Sequence, residues 1–161
     1  MGKCVLCKGN IFLSHAEIIC HQVNCRGVMG AGLAREVRTR CPSVYKLYES
    51  VCMSHSSDPS SLLGWAMIVE TNDSSGKYIA NLFAQDGFRQ GPSDTKVYTD
   101  YDALSRAVDE VVKMAEAYGT TAVAVPLNMG CGLAGGDWNV VKDILKSSFQ
   151  SSPVDLEIWK L

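Results

Sequence analysis

The 161-residue chain has no surplus of positive charge: 15 Lys and Arg stand against 17 Asp and Glu, for a formal net charge of −2. A surface that neutralises a run of phosphates needs the opposite balance, so there is no strong nucleic-acid footprint. No apolar run approaches the roughly 20 residues that span a bilayer. Met1-Gly2-Lys3-Cys4 leads into an apolar segment too short for a secretory signal. GKS and GKT are absent, which excludes a P-loop. Histidine is scarce, and neither a second CxxC nor a histidine pair completes a zinc site with Cys4 and Cys7, so no metal and no cofactor is expected. The cysteine count is odd (positions 4, 7, 20, 25, 41, 52 and 131) and several lie in apolar runs. That pattern predicts buried, reduced thiols and a cytoplasmic protein rather than a disulfide framework.

What is present is an ordinary globular composition, 47% hydrophobic and 20% charged, in a chain sized for one domain with a sizeable core. Strands are predicted over Lys3 to Lys8, Glu17 to Val23, Leu63 to Thr71, Lys77 to Phe83, Thr121 to Pro126 and Val154 to Lys160, the third and fourth forming a hairpin. Helices are predicted over Ala31 to Arg40, Ser43 to Met53 with Ser43 as N-cap, Thr99 to Tyr118 with Thr99 as N-cap, and Trp138 to Phe149. Strands alternating with helices imply a mixed, mostly parallel sheet covered on both faces. The segment from Ser54 to Ser61 reads as a polar surface loop, and Ala84 to Val97 as a long loop of the kind that is functional or mobile.

Two glycine clusters carry the chemistry. Gly27-Val28-Met29-Gly30-Ala31-Gly32 and Gly130-Cys131-Gly132-Leu133-Ala134-Gly135-Gly136 hold seven of the protein's 14 glycines. Each lies between a strand and a helix, where ligands of open α/β sheets bind. Without a Cβ, backbone N–H groups can approach phosphate oxygens, and the first helical turn adds a positive dipole end. One glycine would suffice for a tight turn; two dense clusters predict a clamp for a diphosphate. Gly27, Gly30 and Gly32 do not have dinucleotide-fold spacing, and Gly130-x-Gly132-x-x-Gly135 has it too late in the chain, so a Rossmann dehydrogenase is a poor reading.

The string His21-Gln22-Val23-Asn24-Cys25-Arg26-Gly27-Val28-Met29-Gly30-Ala31-Gly32-Leu33-Ala34 resembles the first ligand loop of macro domains. Val125-Pro126-Leu127-Asn128-Met129-Gly130-Cys131-Gly132-Leu133-Ala134-Gly135-Gly136-Asp137-Trp138 resembles the second, and Tyr78 to Phe83 the strand before the variable loop. The likeness spans essentially the whole chain, residues 1–161, as a single macro domain. It runs closest to the branch of ADP-ribose-1''-phosphate phosphatases and the terminal ADP-ribose protein glycohydrolase.

The resemblance implies a three-layer α/β/α fold and a monomer that binds ADP-ribose or ADP-ribosylated protein. Gly9, Asn10 and Ile11 would meet the adenine, with Asn10 accepting through its carbonyl oxygen where many relatives carry Asp. Gly27, Val28, Met29, Gly30, Ala31 and Gly32, facing Asn128, Gly130, Cys131, Gly132, Leu133 and Ala134, would wrap the pyrophosphate and distal ribose, and Asn24 would touch that ribose. His21, read as ending its strand, is either a general acid–base or a strand histidine bonded to the backbone. Lys96 lies near the position of the glycohydrolase lysine, a residue or two out of register. The family's aspartate falls on Ala134, with Asp137 three residues later. Asp94 and Asp100 are further acids beside the loop, and Cys131 reads as a packing residue. Three functions follow: a hydrolase acting on the distal ribose, a non-catalytic ADP-ribose reader, or another nucleotide-binding α/β domain.

Overall fold

A computed structural model describes residues 2–161. Strands β1 (Cys4–Lys8), β2 (Ile18–Asn24), β3 (Ala66–Glu70), β4 (Tyr78–Gln85), β5 (Ala122–Pro126) and β6 (Asp155–Lys160) alternate with helices α1 (Gly32–Arg40), α2 (Pro42–Ser54), α3 (Tyr101–Ala117) and α4 (Trp138–Phe149). They form one sheet in the order β1-β6-β5-β2-β4-β3. All neighbours pair parallel except β3, which returns antiparallel on β4 as the expected hairpin.

The central strands read as near-continuous apolar runs because both faces are covered. On one face Leu104, Val108 and Val111 of α3 and Val141 and Leu145 of α4 pack on Cys20, Leu82, Val123 and Leu156. On the other, Val37 of α1 and Val44, Tyr48 and Cys52 of α2 pack on Ile19, Val23, Ile79 and Phe83. Alternate residues of each strand serve opposite layers, giving the three-layer α/β/α architecture. Each such side chain contributes about 1.5–3 kcal/mol on burial.

Three local readings are corrected. Cys41, not Ser43, occupies the N-cap of α2, because Pro42 supplies the preset first helical residue and has no N–H to satisfy. Asp100, not Thr99, caps α3 by accepting from the Ala103 N–H at 3.0 Å, while Thr99 is drawn into a tertiary network described below. The polar stretch after α2 contains a 3-10 turn at Pro59–Leu62, and β3 starts three residues later than expected.

The topology makes one opening. From β2 the chain leaves for the α1/α2 layer, and from neighbouring β5 it leaves for α4 on the opposite face. Their ladder contains only Ile18↔Val123 and Ile19↔Ala124. Above it β2 runs on to Asn24 against β4 and β5 to Pro126 against β6, but not against each other, so a crevice opens between their carboxyl ends. Adjacent parallel strands with diverging exits are where ligands of such sheets sit.

Candidate functional site

The β2–α1 loop (residues 25–31) forms one wall. Its shape is set from within by the buried Asn24 carboxamide, which donates to the Val28 carbonyl at 2.8 Å and accepts from the N–H groups of Arg26 at 2.9 Å and Val28 at 3.3 Å. The wholly buried Tyr48 of α2 donates its hydroxyl to the Asn24 carbonyl at 2.7 Å and lies 2.9 Å from Asn24 Oδ1. Burial pushes that phenol above its ordinary range, so it stays a donor at every physiological pH. Met29 plugs into the core beneath. The consequence is on the other side of the loop: the N–H groups of Met29, Gly30 and Ala31 have no acceptor among the described residues. Ala31 caps α1 without a side-chain bond, so the first-turn N–H groups of Gly32, Leu33 and Ala34 are also free.

The β5–α4 loop (residues 127–137) forms the opposite wall. It is closed by its own backbone: Cys131 N–H donates to Asn128 at 2.9 Å, Gly135 to Gly132 at 3.0 Å and Gly136 to Gly130 at 2.8 Å. A Cβ on residue 136 would lie 2.5 Å from the Gly130 carbonyl oxygen, and one on residue 130 would lie 2.6 Å from Gln22 Oε1. These two glycines therefore serve the loop's own closure rather than a ligand's approach. Gly132 meets nothing within 4 Å and faces open space. The N–H groups of Gly130, Gly132, Leu133 and Ala134 find no acceptor among the described residues. Val28 and Leu133, 39% and 55% exposed, present apolar side chains from the two walls.

The β4–α3 loop (residues 86–100) packs onto the second wall. Tyr98 and Thr99 both donate backbone N–H groups to the Ala134 carbonyl, at 2.8 and 3.3 Å. Gly135 lies so close that a Cβ there would be 3.2 Å from the Lys96 carbonyl. The structure thus brings Lys96 beside the β5–α4 loop, its exposed ammonium 5.2 Å from the Tyr98 ring centre. Asp94 folds the loop by accepting from Gln90 and Lys96 N–H groups and the Tyr98 hydroxyl. The Tyr98 bond, with those from Gln90 and Lys96, holds its carboxyl below the ordinary range. Arg26 reaches Asp86 at 3.0 Å, joining this loop to the first wall.

Several expected site residues are placed elsewhere or used otherwise. His21 does not end β2 but lies inside it, 2% exposed, opposite Asn81 of β4. The pair shares a 2.7 Å bond from Nε2 to Asn81 Oδ1, and Asn81 donates on to the Met67 carbonyl. Burial pushes the imidazole down to about 4, only partly opposed by the Asn81 bond. A sealed, neutral ring is a core histidine and not a general acid–base for substrate. Asn24 uses its oxygen and one of its two amide N–H groups on its own loop, a shaping role that the sequence did not reveal. Asn10 accepts from the Phe12 N–H at 3.0 Å, capping a 3-10 turn, which fixes the direction of the carboxamide and leaves its NH₂ and one lone pair of its oxygen unused. Ile11 is core, packed with Val37 and Ala124, and Ala134 is buried with its carbonyl taken. Asp100 caps α3, and Asp137 caps α4 by accepting from Asn139 at 2.9 Å while remaining exposed. The Cys131 thiol is pushed up to about 11, by burial first and the Asp137 charge second, consistent with a packing role.

Sequence reading passed over Tyr48 and Gln22 and gave Thr99 only a capping role. Gln22 left a signal: a carboxamide inside an apolar strand must find partners.

A concavity of about 650 Å³ lies at the opposite end, lined by Glu116, Gly119, Thr121 and Asp155. It is wide open and lies at the amino ends of the strands, away from both glycine loops. Among the described residues, no helix is long and apolar enough to cross a membrane.

Residues 20–145 match the family model described as Macro domain. The chain is 30% identical over 165 residues to the ADP-ribose 1''-phosphate phosphatase of Meyerozyma guilliermondii, covering 91% of this chain and 94% of that protein. It is 30% identical over 153 residues to the DNA ADP-ribosyl glycohydrolase of Mycobacterium tuberculosis, covering 94% of this chain but 40% of that longer protein. The solved macrodomain of Mycobacterium tuberculosis DarG superposes with a TM-score of 0.82 at 25% identity, covering 100% of this chain and 99% of the other.

Proposed function

The chain belongs to the macro domain family, and from that premise we propose that it is a hydrolase that binds ADP-ribose across the β2/β5 crevice and removes a substituent from the distal ribose. One observation carries this reading. The N–H groups from Met29 to Ala34 on one loop, and those of Gly130, Gly132, Leu133 and Ala134 on the other, have no acceptor among the described residues, and both loops leave the carboxyl ends of adjacent strands. Opposed rows of donors, one of them a helix N-terminus, suit a pyrophosphate. The relatives' names support the rest: one acts on a 1''-phosphate and another on a DNA-linked ADP-ribose, so the ligand is shared and the substituent varies. The protein acts as one macro domain and a monomer in the cytoplasm, on free or protein-linked ADP-ribose.

In this reading Gly27 to Gly32 and Asn128 to Leu133 wrap the pyrophosphate and distal ribose, with Gly9 and Asn10 toward the base. Water adds across the bond that breaks: its hydroxyl goes to the electrophilic atom (phosphorus, acyl carbon or ribose C1''), and the atom that leaves takes the electron pair and the remaining proton. The chain's contribution is electrostatic: preorganised N–H groups and the Lys96 ammonium hold the negative charge that develops. Asp137, whose second carboxylate oxygen makes no bond among the described residues, orients the water.

The reader reading is favoured by one fact, that His21 is sealed in the core. Incubation with ADP-ribose-1''-phosphate, O-acetyl-ADP-ribose, an ADP-ribosylated glutamate peptide and an ADP-ribosylated oligonucleotide separates the two. Turnover of at least one, falling about tenfold or more in Lys96→Ala, is the expected result. Micromolar calorimetric binding of ADP-ribose without turnover leaves the reader. No ADP-ribose binding overturns both.

A further inference from the structure

Gln22 is the polar residue of β2 that faces the α3/α4 layer, in line with Cys20 and across from Leu82. Its Nε2 donates two hydrogen bonds, to Gln85 Oε1 at 2.9 Å and to Thr99 Oγ1 at 2.9 Å. Those two acceptors are the two ends of the β4–α3 loop. Gln85 is the last residue of β4, Thr99 stands just before the α3 cap, and the pair forms an isolated antiparallel bridge. Thr99 in turn donates its hydroxyl to the Gly130 carbonyl at 2.6 Å. The remaining amide atom, Gln22 Oε1, is buried without a partner against the Cα of Gly130. An unpaired buried acceptor costs free energy, which the two bonds donated by the other end of this carboxamide offset.

We infer that Gln22 is a positioning residue: it staples the neck of the loop that carries Lys96 and, through Thr99, seats that loop on the β5–α4 wall. The consequence for the crevice rests on the ADP-ribose reading above; the stapling itself does not. With the neck closed, the Tyr98 and Thr99 N–H groups stay on the Ala134 carbonyl and Lys96 starts three residues from a fixed point. With it open, residues 86–98 gain a low-energy local opening that leaves the sheet intact.

Arg89 and Lys96 lie in this loop, so trypsin reads its opening directly. Cleavage there follows the population of the open form. Thr99→Val removes the hydroxyl that both accepts from Gln22 and donates to Gly130, and should raise cleavage after Arg89 and Lys96 roughly tenfold. Thr99→Ser keeps the hydroxyl and should stay within about twofold of the parent. Gln22→Leu should match Thr99→Val; if it fails to fold, the two Thr99 variants, at a loop end, still decide. With turned-over substrate, Thr99→Val should lower kcat about tenfold while the Kd for ADP-ribose shifts less than about threefold, since the N–H walls remain. Cleavage of Thr99→Val at the parent rate, or of Thr99→Ser as fast as Thr99→Val, overturns the inference. If the parent fails to bind ADP-ribose, the functional reading falls while the proteolysis still decides the staple.

Discussion

The β2–α1 loop is held from inside, by one carboxamide and one buried phenol, whereas the β5–α4 loop is held by its own carbonyls and by the neighbouring loop pressed against it. Asn24 and Tyr48 fix the first wall through side chains that a mutation can delete. Gly130 and Gly136 fix the second through the absence of side chains, which a mutation can only add to. The two walls offer similar donors to the crevice, yet their tolerance to change should be opposite in sign: the first fails by subtraction, the second by addition.

The largest effect is expected from Gly136→Ala, whose new methyl meets the Gly130 carbonyl oxygen. Overpacking against backbone costs about 3 kcal/mol, or roughly 10 °C in Tm for a domain of this size. Gly132→Ala, with open space around it, should move Tm by less than about 2 °C. Equal losses at the two positions in thermal melts would break the contrast. Next comes Asn24→Ala, which strands the Val28 carbonyl and the Arg26 and Val28 N–H groups at about 2–3 kcal/mol, while Tyr48 keeps the backbone carbonyl of residue 24. This substitution should weaken ADP-ribose binding by calorimetry, whereas Gly30→Ala in the same loop, whose methyl would meet Val28 Cγ1 at 3.6 Å, should not destabilise the fold.

A pH dependence comes third and belongs to neither wall. The folded His21 imidazole lies near 4 against an ordinary 6.5, so the unfolded chain takes up its proton first as the solution is acidified. The stability His21 contributes is therefore whole above about pH 6.5 and is lost as pH falls toward 4, roughly 2 kcal/mol of it between pH 7 and 5. Urea midpoints should fall over that interval in the parent and markedly less in His21→Gln. A parallel fall in both would assign the acid sensitivity to carboxylates instead. The smallest effect is expected from Arg26→Ala, which removes a half-exposed ion pair joining the first wall to Asp86, worth under about 1 kcal/mol.

The difference between the walls also marks what was legible in the sequence. Glycine clusters, apolar runs and helical periodicity are local signals, and they located every strand and helix within a few residues. They also put both loops at the carboxyl end of the sheet. What stayed hidden was the competition among polar groups for partners. Thr99 and Asp100 are both good helix caps, and only the approach of Gln22 and Gly130 decides that Asp100 takes the role. His21 resembles a catalyst by its place beside a ligand loop, but the parallel register that puts Asn81 opposite it makes it a core residue. Asn10 is tied to its own turn by the Phe12 N–H, a local bond that sets its direction and that the sequence does not announce. In the glycine clusters, sequence treats every glycine alike, whereas the structure divides those that close the chain on itself from those that leave it open.

The short seam between β2 and β5 has a mechanical meaning. Three strands, β1, β6 and β5, lie on one side of it and three, β2, β4 and β3, on the other, joined within the sheet by two residue pairs. Such a plate bends most readily along its weakest line of stitching, which runs straight into the crevice. A dianion held by N–H groups from both halves would act as a further stitch at the end of the seam farthest from the existing pairs, where leverage is greatest. Occupancy would then be felt as stiffness of the whole sheet, well beyond the loops that touch the ligand.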